Sequence, residues 1–111
     1  MRVIPVTVLG KEYDLCFSTR VMMRVEQEHI DTDTASGSVF LLSALMEAGD
    51  RYAKLNGQPG KGFLTVDEIA DNLSPDELGK LALSMTLATS GERNVETVDS
   101  EKNAEKTPPD A

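Results

Sequence analysis

The chain has 111 residues, enough for one small domain, and its 5% of aromatic residues with no Trp imply an aliphatic core. A net charge of −8 argues against nucleic acid or an anionic membrane as the main partner, since both attract clustered Lys and Arg. One cysteine excludes an internal disulfide, no apolar run approaches the roughly 20 residues of a membrane span, and no signal peptide is evident, so we expect a cytosolic protein.

Residues 1–18 predict a β-hairpin, with strands over Val3–Leu9 and Glu12–Phe17 and a turn at Gly10-Lys11. This turn places six apolar side chains on one face, in the pairs Ile4–Phe17, Val6–Leu15 and Val8–Tyr13. The opposite face then carries Pro5, Thr7, Leu9, Glu12, Asp14 and Cys16. A slip of one residue would mix the two faces, and Pro5, which has no N–H, suits an edge strand. Because an isolated hairpin is only marginally stable, we expect the apolar face to pack on the central helix.

Two helices are predicted next. Ser18 can cap a short helix over Thr19–His29, and Asp31–Gly37 has the composition of a loop. The central helix follows within Ser38–Gly57, with Ser36 or Ser38 as its N-cap and Asn56-Gly57 as its stop signal.

The central helix combines a broad apolar arc with a narrow polar stripe. An arc over roughly half or more of the circumference indicates a helix surrounded by other elements. The arc contains Leu41, Leu42, Leu45, Met46, Ala48, Gly49, Tyr52, Ala53 and Leu55. The stripe contains Ser43, Glu47, Asp50, Arg51 and Lys54.

Two capping boxes follow the Gly- and Pro-containing loop Gln58–Phe63. Thr65 with Glu68, and Ser74 with Glu77, predict a short helix over Val66–Leu73 and a longer helix over Pro75–Thr89 that ends at Gly91. The longer helix has two apolar stripes. One contains Leu78, Leu81, Ala82, Met85 and Ala88, and the opposite one contains Leu83 and Leu87.

The stripe of Leu83 and Leu87 leaves two interpretations open. Another part of the domain covers it, or two exposed leucines are ordinary surface residues. Alternatively, the stripe binds a partner or a second copy of the chain, as paired exposed leucines on a helix can.

No residue pattern predicts a catalytic, metal or cofactor site, so we expect a protein that is not an enzyme. His29, the single histidine, is expected at the surface near a helix end, and Cys16 lies beside no activating cation. Asp31 and Asp33 lack the glycine and distal Glu of a calcium loop. The segment Gly57–Gly62 lacks the Ser or Thr of a phosphate loop.

The predicted fold is therefore α+β and mostly α: an N-terminal β-hairpin packed on a small bundle of about four helices. Residues 1–93 form the single globular domain in this prediction. Residues 94–111 form a flexible acidic tail, because two Val are the only large apolar side chains among them. The tail is either a solvated segment without a role or a segment that folds on a partner.

The hairpin motif G-K-E-Y-x-L-x-F at residues 10–17, followed by helices and a charged tail, resembles the tail assembly chaperones of long-tailed bacteriophages and of Gram-positive prophages. The resemblance covers most of the chain, although the loop Gln58–Gly62 does not match the family pattern. It implies a non-enzymatic, oligomeric or client-bound protein of the bacterial cytoplasm that coats the tape-measure protein before the tail tube forms. It also implies that many members occur in a longer, frameshifted form.

A chaperone of this kind needs exposed apolar side chains, and Leu83, Leu87 and Phe40 are the candidates for binding the client or a second copy. Nucleic acid, membrane and small-molecule substrates are not expected as partners. Two other classes remain open: a tail completion or connector protein, which would persist in the virion, and a small cytosolic adaptor or regulatory module.

We predict that deletion of Asn94–Ala111 leaves folding stability nearly unchanged, because the segment has little apolar surface to bury. The measurement is the denaturant midpoint of the truncated and full chains. A loss of more than about 1 kcal/mol would show that the segment packs on the domain.

Overall fold

The computed structural model describes the backbone of residues 1–98 and the side chains of residues 1–90. Two strands, β1 (Ile4–Val8) and β2 (Lys11–Leu15), form an antiparallel hairpin. The helices that follow are α1 (Thr19–Gln27), α2 (Ala35–Leu55), α3 (Val66–Asn72), α4 (Pro75–Lys80) and α5 (Ala82–Val98). The predicted mostly helical α+β fold is confirmed. Of the helices described, none has the length and apolarity needed to cross a lipid bilayer.

The hairpin has the predicted faces in a different register. Its two-residue loop is Leu9-Gly10, where φ is 53° and 78°, as a type I′ turn requires, so the predicted Gly10-Lys11 loop was wrong. The strand pairs are Ile4–Leu15, Val6–Tyr13 and Val8–Lys11, two residues away from the prediction. Because side chains alternate with period two, a shift by two keeps each on its face, and the sequence pattern excludes only odd shifts.

Burial of the hairpin follows this alternation up to the end of β2. The side chains of Val6, Val8, Tyr13 and Leu15 are buried, while Ile4 and Phe17 are half-buried at the end of the face. Cys16 was expected on the polar face and is instead fully buried. Its N–H donates to the carbonyl oxygen of Leu45 in α2, 3.1 Å away, because α2 lies along the outer edge of β2.

A glycine permits this approach of α2 to β2. A Cβ atom on Gly49 would overlap the carbonyl oxygen of Asp14, which belongs to β2. The helix backbone therefore packs against the strand backbone without a side chain between them. Around this contact, Leu42, Leu45 and Met46 of α2 are fully buried.

The ends of α2 differ from the prediction. Its N-cap is Thr34, whose hydroxyl accepts a hydrogen bond from the N–H of Gly37 at 3.0 Å, so Ser36 and Ser38 lie inside the helix. At the other end, Asn56 is the C-cap and Gly57 adopts a φ of 77°, as expected. Leu55 was placed on the buried arc but is 85% exposed, because the last residue of α2 extends beyond the elements that cover the middle of the helix.

The two predicted capping boxes are confirmed at the starts of α3 and α4. The predicted single helix over Pro75–Thr89 is divided at Leu81, whose N–H bonds to the Leu78 carbonyl oxygen in a tight turn. Gly91 does not end α5, since its backbone remains helical to Val98. The predicted tail thus begins within α5, and residues 99–111 lie outside the described residues, so its flexibility stays a prediction.

We predict that Gly49→Ala destabilises the protein by about 2 kcal/mol, because the new methyl group meets a strand carbonyl that cannot move without displacing β2. Gly79→Ala is the matched control. It lies in α4 with no atom near its missing Cβ, and should raise stability by about 0.5 kcal/mol. Urea unfolding followed by circular dichroism measures both, and equal effects would show that the α2–β2 backbone contact is not tight.

Candidate protein-binding surface

Helix α5 presents opposite sides to the core and to solvent. Met85 and Ala88 are buried in the core, and α5 packs on β1. Leu83 is 69% exposed and Leu87 is 44% exposed, and they lie one turn apart. The two side chains form an exposed apolar pair, named here the Leu83/Leu87 surface.

A cleft of about 450 Å³ separates the start of α2 from α4 and α5. Its apolar wall includes Leu41, Leu78 and Met85, and its rim is polar. Thr86, next to Leu87 in the chain, also lines it. Helix α5 therefore packs on β1 and borders this cleft, while Leu83, Thr86 and Leu87 remain exposed.

Phe40, the third predicted binding residue, is engaged by α1. Its side chain is half-buried against the core, and the guanidinium carbon of Arg24 lies 5.0 Å from the centre of its ring. Arg24 is itself held by Glu47 of α2, with 3.1 Å between nitrogen and oxygen. The structure therefore places Phe40 at the α1–α2 contact, and its role in binding a partner stays a prediction.

The catalytic and metal-binding candidates His29, Asp31 and Asp33 lie in turns of the backbone. His29 is exposed with a φ of 52° and reverses the chain after α1. The Asp31 carboxylate accepts a hydrogen bond from the N–H of Asp33 at 2.9 Å, which closes a turn before α2. Across the residues that the structure describes, no three His, Cys, Asp or Glu side chains converge in a group that could hold a metal ion.

The loop after α2 is fastened by polar contacts that the sequence patterns did not predict. Ser43 and Asp50, which belong to the polar stripe of the central helix, are buried. The Ser43 hydroxyl donates to the carbonyl oxygen of Leu64 at 2.7 Å, and the Asp50 carboxylate accepts from the N–H of Gly62 at 3.0 Å. Lys61 reaches Glu12 and Asp14 of β2, each at 3.1 Å.

Hydrogen bonds stabilise the charged forms of Asp50 and Lys61. Burial raises the pKa of Asp50, but the hydrogen bonds from Lys54 and from the N–H of Gly62 outweigh it and hold that pKa below its ordinary value. The pKa of Lys61 is raised by its hydrogen bonds to Asp14 and then to Glu12. Both groups therefore remain charged at neutral pH and keep the loop attached to α2 and β2.

Comparison of the chain with protein-family models, with curated proteins and with solved structures found no match. The resemblance to tail assembly chaperones therefore rests on residues 10–17 and on the order of the structural elements.

We predict that Asp50→Ala lowers stability by about 1–3 kcal/mol, because it leaves the N–H of Gly62 without its acceptor. Asp50→Asn keeps an acceptor oxygen and should cost less. Asp71→Asn, at an exposed position of α3, is the control for loss of one charge.

The same variants test how the folding stability depends on pH. Since the folded pKa of Asp50 lies below its ordinary value of 3.8, its carboxylate stabilises the folded state above that pH. The contribution is lost as pH falls through the folded pKa. Urea midpoints measured from neutral pH into this acid range should fall less steeply for Asp50→Asn than for the unmodified chain. An identical decline of the urea midpoint in both chains would show that the Asp50 carboxylate does not contribute to this pH dependence.

Proposed function

We propose that this protein is a non-enzymatic tail assembly chaperone of a long-tailed phage or prophage, which binds and solubilises the tape-measure protein in the host cytoplasm. The observation that carries the proposal is the Leu83/Leu87 surface, an exposed apolar stripe on a helix held from its opposite side. The hairpin motif at residues 10–17 and the element order support the choice of family by their resemblance.

The spacing of the two leucines suits a helical client. Residues four apart on a helix lie side by side and form an apolar stripe that can pack against the apolar face of another helix. A tape-measure protein is a long helical chain with apolar surface that must be shielded until the tube forms around it. The net charge of −8 keeps such a complex soluble.

The size of the stripe favours a reversible contact. Full burial of one Leu side chain contributes about 1.5–3 kcal/mol, so two leucines alone support only weak binding. Weak binding at one site becomes effective when many copies bind one long client, because each added contact is held close by its neighbours. A contact of this strength also allows the chaperone to leave as the tube assembles.

The test is co-expression with the tape-measure protein of the same genome, comparing the unmodified chain with Leu83→Glu/Leu87→Glu and Leu83→Lys/Leu87→Lys. Both double variants should weaken binding at least about tenfold, whatever the sign of the new charge, because each removes apolar contact. Stability should change by less than about 1 kcal/mol, since both side chains are exposed. Size-exclusion chromatography and client solubility report binding, and urea unfolding followed by circular dichroism reports stability.

Met22→Glu/Met23→Glu is the matched control, because these α1 side chains are 45% and 48% exposed and receive the same added charge. It should bind the client normally. Unfolding of the Leu83/Leu87 variants would mean that the leucines belong to the core, and undiminished binding would place the client elsewhere. An unmodified chain that neither binds nor solubilises the tape-measure protein would overturn the proposed function.

A further inference from the structure

The last turns of α2 leave an open groove beside α1. The groove has a volume of about 570 Å³ and an apolar floor formed by Met1, Ala48, Tyr52 and Leu55. Leu55, at 85% exposure, is the most exposed large apolar side chain among the described residues. The floor continues the apolar arc of α2 beyond the part that the hairpin covers.

The rim of this groove is basic in an otherwise acidic protein. Arg20, Arg51 and Lys54 line it, and no carboxylate does. Arg51 and Lys54 are paired with Glu47 and Asp50 at 3.2 and 3.1 Å, which neutralises part of their charge. Glu47 also pairs with Arg24. The four cations Arg20, Arg24, Arg51 and Lys54 and the two carboxylates Glu47 and Asp50 together carry a net charge of +2, whereas the whole chain carries −8.

The cations on the rim retain hydrogen-bond donors for a ligand. Arg20 forms no ion pair with any described residue. Arg51 and Lys54 use one nitrogen each on α2 carboxylates, while a guanidinium carries five N–H donors and an ammonium three. An incoming carboxylate can therefore bind at the rim without displacing Glu47 or Asp50.

We propose that this groove binds an acidic amphipathic helix of a partner protein. An apolar side chain of that helix packs on Tyr52 and Leu55, and its flanking carboxylates pair with Arg20, Arg51 and Lys54. The positive charge around the groove favours an acidic partner. Repulsion between that partner and the distant acidic groups of this protein is largely screened, because the Debye length at physiological salt is about 8 Å. The Leu83/Leu87 surface does not line this groove, so the inference stands apart from the proposed function.

The probe is a labelled synthetic helical peptide with Leu at positions i and i+4 flanked by Glu, titrated with the full chain and followed by fluorescence anisotropy. Its matched peptide has Gln in place of every Glu. The acidic peptide should bind at least about tenfold more tightly, and increasing salt should reduce that advantage. Amide NMR shifts of the full chain should map to residues 51–55 and to the start of α1.

Arg20→Gln/Leu55→Ser should weaken binding of the acidic peptide by about tenfold or more without unfolding, since both positions are exposed. The matched control is Lys80→Gln/Leu9→Ser, which removes one cation and one exposed leucine outside both the groove and the Leu83/Leu87 surface and should bind within about twofold of the unmodified chain. Equal affinity for the Gln peptide, absence of binding, or a loss confined to the control variant would overturn the proposal. So would a dimer that dissociates in Arg20→Gln/Leu55→Ser, since the groove would then be the contact between two copies.

Discussion

The structure depends on the direct contact between the backbone of α2 and the outer edge of β2. A two-stranded hairpin is only marginally stable by itself, and an open strand edge invites unwanted pairing. Gly49 lets α2 approach that edge, and the Cys16 N–H is satisfied by the Leu45 carbonyl oxygen. On the other edge, Pro5 removes one backbone donor from β1. The hairpin is thereby joined to the helix that contributes more core residues than any other described element.

This contact decides which parts of α2 are available to the rest of the chain. With the hairpin on one side, Ser43 and Asp50 of the polar stripe face the loop over residues 58–64, and Lys61 of that loop reaches β2. The middle of α2 is covered on both sides, and its last turns extend beyond the cover. Exposed apolar surface is consequently left at the end of α2 and on the outer side of α5. Both proposed protein contacts use surface that the intramolecular packing leaves open.

The charges serve mainly to position segments that are distant in the chain. Arg24 joins α1 to α2 through Glu47, and Lys61 joins the loop to β2 through two carboxylates. Exposed ion pairs contribute little free energy each, so these contacts orient elements that apolar burial stabilises. The cations Arg20, Arg51 and Lys54 line the groove between the start of α1 and the end of α2, so the acidic chain has a local region of opposite sign there.

The sequence by itself determined the features that depend on neighbouring residues: the mostly helical α+β class, the two faces of the hairpin, and the caps at Ser18, Thr65 and Ser74, since alternation and capping are local effects. Helical periodicity also placed Leu83 and Leu87 opposite the core-facing stripe, but it left open whether another part of the chain covers them, and the structure shows both exposed. The tertiary structure decided the hairpin register, because strand alternation cannot distinguish shifts by two residues. It also decided the burial of Cys16, Ser43 and Asp50 and the exposure of Leu55, because each depends on which distant segment packs against α2, and no local pattern encodes that choice.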